Sequence, residues 1–239
     1  MKIMAIDTTE NTATAAICED AALLASYRLT RTRTHSESML PMIESMLHQL
    51  ACSLDEIDLF AISAGPGSFT GVRIGAATIK GLTFGREKPI VAVSALEAMA
   101  WNHLGWEGIV APCMDARRNQ LYNALFRIHG ETVERLTPDR IVQASELAEE
   151  LSQHFSGEPI RFTGGGMEVA LKAAGGKVQA AFVPEVLRYE DAYGVALCAL
   201  HRYLADPACA LTDITLAPTY LRASQAEQER LRREEQKQN

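Results

Sequence analysis

Hydrophobic and polar positions divide the chain into short segments of two different periods. Residues 2–7 (KIMAID) read as a short buried strand. Residues 12–18 (TATAAIC) and 22–29 (ALLASYRL) read as two more strands, joined across Glu19-Asp20-Ala21, a hairpin-sized gap. Met39, Ile43, Met46 and Leu50, with Leu40 and Leu47 beside them, then recur at three- and four-residue steps, which predicts one face of a helix. Two starts are open for that helix. Thr34 and Glu37 fit a capping box but put Pro41 inside the helix, whereas a start at Ser38 avoids the conflict. Residues 57–64 (IDLFAISA) form a further buried strand, and a glycine-rich loop from Gly65 opens a helix at about Gly71 that runs to about Phe84. A strand at 90–93 and a helix over 95–104 complete the order β-β-β-α-β-α-β-α, the pattern of a mixed sheet with helices on its faces.

The theme then restarts. Residues 109–114 end in Asp115, and 120–128 (QLYNALFRI) alternate like a hairpin strand. A helix runs from Ser145 to about Phe155. A strand at 160–163 reaches Gly164-Gly165-Gly166, a short helix leads to Ala174, and a last helix spans Asp191 to Leu204. Gly105 to Gly108 is the expected boundary between a first lobe, 1–105, and a reduced second lobe, 106–189. The helix at 190–205 and the segment to about 224 are expected to complete the first, and 225–239 is a charged tail.

Composition sharpens this picture. The chain has 239 residues, 47% hydrophobic and 22% charged, the proportions of a globular protein with a real core. No apolar run approaches the roughly 18 residues needed to cross a bilayer, so no membrane contact is expected. Asp7 and Glu10 stand where a secretory leader needs apolar residues. The net charge of -7 argues against a protein whose own surface grips nucleic acid through phosphates, and against a free-standing RNA-binding module. Cys18, Cys52, Cys113, Cys198 and Cys209 form no C-x-x-C pair and read as buried thiols in a reducing, cytoplasmic setting.

The candidate chemistry is sparse. The Gly65-Pro66-Gly67 loop is neither a P-loop, having no Lys-Ser/Thr after it, nor a dinucleotide fingerprint, since Gly71 comes one position too late. It still sets backbone amides at a helix start, where an anion can sit. Gly71, Gly75, Thr78 and Gly85 lie near one helical face, and glycines costing roughly 1 kcal/mol each suggest close packing there. Met39, Met42 and Met46 suit either a core or an adaptable contact surface. No histidine pair has metal-ligand spacing, so no metal is expected, and no G-x-S-x-G elbow is present. Asp7 and Asp115 each follow a buried strand and are candidates to face one cleft. The basic runs Arg28-Arg31-Arg33 and Arg117-Arg118 are either RNA contacts or exposed hairpin arginines.

Taken together, IMAIDTTENTATAAI, HSESMLP, AGPGSFTGVRIG, MDARRNQLY and PTYLR occur in an order that resembles the TsaB (YeaZ) family, over nearly the whole chain to about Arg222. The resemblance implies an ASKHA-type α/β fold of two ribonuclease H-like lobes. It also implies a role in forming threonylcarbamoyladenosine beside the anticodon of tRNA. In that family the protein is a non-catalytic partner of the metal-binding paralogue TsaD and works with the ATPase TsaE. The implied contact with TsaD uses the paired helices, here Met39, Met42, Ile43 and Met46 on one, and Gly71, Gly75, Thr78 and Leu82 on the other; the same surface would support self-association. Asp7-Thr8-Thr9 and Gly65 to Gly67 correspond to vestigial phosphate-type loops. Glu10 adds a charge that repels phosphate, and Gly164-Gly165-Gly166 resembles an adenosine-side glycine motif. No cofactor is therefore expected for the isolated chain, with ATP or ADP left to an interface shared with partners. The rival expectation is a stand-alone enzyme of this fold, a phosphotransferase, an ATPase or a glycoprotease-like peptidase.

Overall fold

A computed structural model describes residues 1–30 and 34–222. Arg31, Arg33 and the charged tail from Gln225 lie outside the described residues. The first sheet has the order β3-β2-β1-β4-β5. Strands β1 (Lys2–Asp7), β2 (Thr12–Glu19) and β3 (Ala22–Thr30) run antiparallel, while β4 (Leu59–Ser63) and β5 (Ile90–Val93) lie parallel to β1. This is the ribonuclease H-like arrangement.

Because side chains alternate along a strand, β1 feeds two cores. Met4 and Ile6 point to the face covered by α1 (His35–Gln49) and α2 (Phe69–Thr83), among Met39, Met46, Phe60 and Ile79. Ile3 and Ala5 point to the other face, against Val195 and Ala199 of α6 (Ala192–Ala205). The intervening α3 (Ala95–Trp101) is buried on two sides. Ala98 and Trp101 join the core beneath α6, and Leu96, Met99 and Ala100 meet the second lobe.

In the second lobe β6 (Glu107–Asp115) is central. It pairs with β7 (Gln120–Asn123) near its end, with β8 (Phe126–His129) near its start, and in parallel with β11 (Ile160–Thr163). The edge strands β9 (Thr132–Arg135) and β10 (Arg140–Gln143) flank β8 and β7. Helices α4 (Ala144–His154) and α5 (Met167–Ala174) close a core around Cys113, Leu121 and Phe162. The last segment returns to the first lobe: Leu211 bridges Ile90, Leu216 is buried and Thr219 N–H donates to the Ala64 carbonyl at 2.7 Å.

One open choice closes and three local expectations change. Helix α1 starts at His35 with Pro41 inside it, and Thr34 makes no side-chain cap. The proline is tolerated because it and Glu37, whose carbonyl loses its helical donor, are both exposed to water. Helix α2 starts at Phe69, where the Ser68 hydroxyl accepts the Gly71 N–H, and it ends before Gly85. The strand expected over 120–128 breaks at Ala124-Leu125. There the Leu125 N–H turns to the Thr137 hydroxyl at 2.8 Å, and pairing passes from β10 to β9. Strands β9 and β10 have no legible period in the sequence, because each has only four residues and a mixed or partly exposed pattern.

Candidate functional site

The end of β1 delivers Asp7 to the cleft between the lobes. Its side chain is 1% exposed. Oδ1 accepts both the backbone N–H and the hydroxyl of Thr9, each at 2.7 Å, while Oδ2 has no partner among the described residues. Burial outweighs those hydrogen bonds and pushes the Asp7 carboxyl up to about 6. Three residues on, Glu10 crosses the cleft and accepts the Gly165 N–H at 2.8 Å, while its own carbonyl meets Nε2 of His35 at 2.7 Å. Glu190 is buried beside them, with neither carboxyl oxygen partnered. Its pKa is pushed well above the usual carboxylate range, first by burial and then by the charges of Glu10 and Asp7. Ser63, on neighbouring β4, adds a buried hydroxyl that lies against the Asp7 carboxyl and partly offsets its burial. Such a cluster holds protons where exposed carboxylates would release them.

The two glycine-rich turns are filled by the chain itself. Thr8 and Thr9 dock on the Gly65–Gly71 loop: the Ser68 N–H donates to the Thr9 carbonyl at 2.6 Å and the Thr8 hydroxyl to the Gly71 carbonyl at 2.8 Å. A Cβ at Gly71 would lie 2.0 Å from the Thr8 carbonyl oxygen, and one at Gly67 2.4 Å from that of Thr9. These glycines serve a loop-to-loop contact. Across the cleft, Gly164 N–H donates to the Arg188 carbonyl, Gly165 N–H to Glu10 and Gly166 N–H to the Cys113 carbonyl. Every amide of that turn is committed.

Asp115 does not face Asp7. It is exposed, and its Oδ1 accepts the Arg117 N–H at 2.7 Å, which organises the tip between β6 and β7. At that tip Arg117, Arg118 and Asn119 adopt φ of 66°, 56° and 58° in succession. Left-handed backbone costs about 1–2 kcal/mol per residue outside glycine. The partner of Asp7 is instead Glu190. Sequence reasoning missed it because an acidic residue just before the α6 cap, Asp191, reads as helix-start chemistry.

The helix pair is also corrected in detail. Met39, Met42, Ile43 and Met46 are buried on the chain's own sheet, and Gly75 faces inward, where a Cβ would lie 2.6 Å from the Thr8 hydroxyl. With Gly71 they belong to the fold's interior, because the apolar stripe of each helix has a sheet to cover. Thr78 is half-buried and donates to the Ile74 carbonyl. Leu82 remains partly open and lines an outward groove of about 300 Å³ with Leu40, Ile43, Glu44, Leu47 and Leu54.

Among the described residues no group of three or more His, Cys, Asp or Glu is placed to hold a metal ion. No described helix is long and apolar enough to cross a membrane. All five cysteines are free; burial pushes Cys18 and Cys113 up to about 12, so both stay protonated thiols at neutral pH.

Comparison with known proteins agrees with the architecture. Residues 23–230 match the family model for TsaD, tRNA N6-adenosine threonylcarbamoyltransferase. The chain is 33% identical over 164 residues to the tRNA threonylcarbamoyladenosine biosynthesis protein TsaB of Bacillus subtilis, covering 69% of this chain and 71% of that one. It is 36% identical over 167 residues to TsaB of Escherichia coli, covering 66% and 69%. YeaZ from Pseudomonas aeruginosa superimposes with a TM-score of 0.74 at 21% identity, covering 92% of this chain and 99% of that structure.

Proposed function

This chain belongs to the TsaB (YeaZ) family, and on that premise we propose that it serves tRNA threonylcarbamoyladenosine biosynthesis as a non-catalytic partner subunit. One observation carries the non-catalytic part. In the cleft where this fold could hold a nucleotide, the chain's own groups take all three amides of Gly164-Gly165-Gly166, and Glu10 puts a carboxylate on one of them. A phosphate arriving there would meet no free N–H and a negative charge in a site of low dielectric. Threonylcarbamoyl transfer then falls to the paralogue TsaD, with TsaE as the ATPase, and any ATP or ADP lodges at a surface formed jointly with them.

The partner surface we assign is the outer side of α1 and α2. Leu40 is 53% exposed and, with Leu47, Leu54 and Leu82, forms an apolar groove next to the charged Glu44. An unfilled apolar groove between two helices suits the side chains of a third. Without TsaD a second copy of this chain would cover it, which gives a homodimer. This reading moves the contact outward from the methionines to the leucines one helical step away.

The experiment is reconstitution. The purified chain alone should show negligible ATPase and transferase activity. Added to TsaD, TsaE, threonylcarbamoyl-adenylate and tRNA, it should restore modification. Modification at the same rate without it would reject the proposal. Tight ATP binding by the isolated chain, lost on Asp7→Asn, would instead favour a stand-alone enzyme.

A further inference from the structure

The described arginines differ in what holds them. Arg28, Arg86, Arg127, Arg135, Arg140, Arg188 and Arg202 are each held by a carboxylate. Among the described residues Arg73, Arg117, Arg118 and Arg222 are not, and Arg161 rests on the Trp106 ring instead. The four guanidinium groups without a carboxylate partner sit around one junction. Arg222 donates to the Ala116 carbonyl at 2.9 Å and to the Gln120 side chain, so it clasps the base of the tip that carries Arg117 and Arg118. Two residues earlier, within about 7 Å along the chain, Tyr220 stacks on Phe69 with ring centroids 4.7 Å apart. Arg73 lies 4.0 Å over the other ring, Phe69, and its Nε donates to the Tyr220 hydroxyl at 3.1 Å.

The last segment thus joins the α2 start to the β6–β7 tip, and the joint rim carries two stacked aromatic rings and four cations. Arg73, Arg117 and Arg118 are exposed, as is Tyr220 at 40%. Asp115, the carboxylate in the tip, is turned back onto the Arg117 N–H. In a chain with net charge -7, leaving these arginines unpaired on one rim concentrates positive potential locally. Cations beside the exposed Tyr220 ring, which is backed by Phe69, match single-stranded RNA, whose phosphates take the charge and whose unstacked bases take the ring. An acidic protein surface would use the cations and leave the ring without a purpose.

We propose that the rim formed by Phe69, Arg73, Arg117, Arg118, Tyr220 and Arg222 is a contact surface for single-stranded RNA, such as the loop of the tRNA being modified. The proposal rests on the reading above for its substrate, but not for its chemistry. The net charge of -7 disfavours nucleic-acid binding by the surface at large, and at this rim the arginines without carboxylate partners offset it locally.

The test uses the full chain, alone and in complex with TsaD, and measures affinity for an unmodified tRNA transcript as a function of salt. Arg117→Asn/Arg118→Asn removes two charges with the residue that best tolerates the left-handed backbone there. It should weaken binding about tenfold and reduce the log–log salt slope by about 1.5. Tyr220→Leu should weaken binding about fivefold or more with the slope unchanged, since stacking releases no counterions. Circular dichroism and the mass of the complex report on folding and assembly of both variants. Unchanged affinity and slope in the double variant would overturn the proposal. So would loss of TsaD association with RNA affinity intact, which would make the rim a protein contact, or equal affinity for a duplex RNA of the same length. If the wild-type chain fails to stimulate modification while these variants lose RNA binding, the surface stands and the proposed pathway role falls.

Discussion

Replacing Asp7 by Asn removes a charge from the buried cluster while keeping its shape. Asp7 Oδ1 accepts two hydrogen bonds from Thr9, and an amide oxygen can keep both. The Oδ2 becomes an N–H₂ group on the side of Ser63, whose hydroxyl can accept from it. Burial and the charge of Glu10 from the same loop oppose ionisation, while the hydroxyls of Ser63 and Thr9 and the Thr9 N–H favour it without overcoming the burial. With the carboxyl raised from 3.8 to about 6, its favourable contribution is fully present below pH 3.8 and is lost as pH rises through about 6. At pH 8 the ionised carboxylate therefore costs the fold on the order of 3 kcal/mol, at 1.36 kcal/mol for each pKa unit. Asp7→Asn should be more stable than wild type by about 2–3 kcal/mol at pH 8, and the difference should close toward pH 4. In a chain of this size that is a rise of about 4–12 °C in Tm. Urea titrations at both pH values read the gap directly. A gap of the same size at pH 4 and pH 8, or a variant weaker at pH 8, would refute the argument.

The glycines of α2 make a paired test. Gly71→Ala should destabilise by about 2 kcal/mol or more through its collision with the Thr8 carbonyl, whereas Gly81→Ala, with nothing within 4 Å, should stabilise by about 1 kcal/mol; equal effects in chemical denaturation would contradict the loop-to-loop packing. Leu82→Arg in the outward groove should leave Tm nearly unchanged yet abolish association with TsaD in calorimetry, and unaltered association would remove the groove from the interface. Glu190→Gln should repeat the pH signature of Asp7→Asn, with stabilisation that grows as pH rises; urea titration checks this, and a loss of stability at pH 8 would show that the carboxyl has a partner cation.

Much of the fold was legible in the chain because it is written in periodicity. The strands of the first lobe and the helix at 39–50 follow from alternating and three-to-four-residue apolar steps, and these depend only on burying one face of each element. The ordered motifs from IMAIDTTE to PTYLR likewise sufficed for the family. Sequence alone left α1's start open, because whether Pro41 is tolerated depends on the exposure of Glu37's carbonyl.

Other features were decided only when distant segments met. Met39 and Gly75 had the composition of a docking face, and it took the sheet beneath them to show that they point inward. Glu190 looked like part of a helix start until the cleft brought it beside Asp7 and Glu10, 180 residues away in the chain, and burial rather than sequence raised its pKa. Arg117-Arg118 and Arg222 belong to two separate motifs, and hydrogen bonds from Arg222 to the Ala116 carbonyl and the Gln120 side chain make them one surface. Periodicity is a local property, so the sequence carries it openly. Which charges remain without partners is a property of three-dimensional neighbours, and only the packed chain determines it.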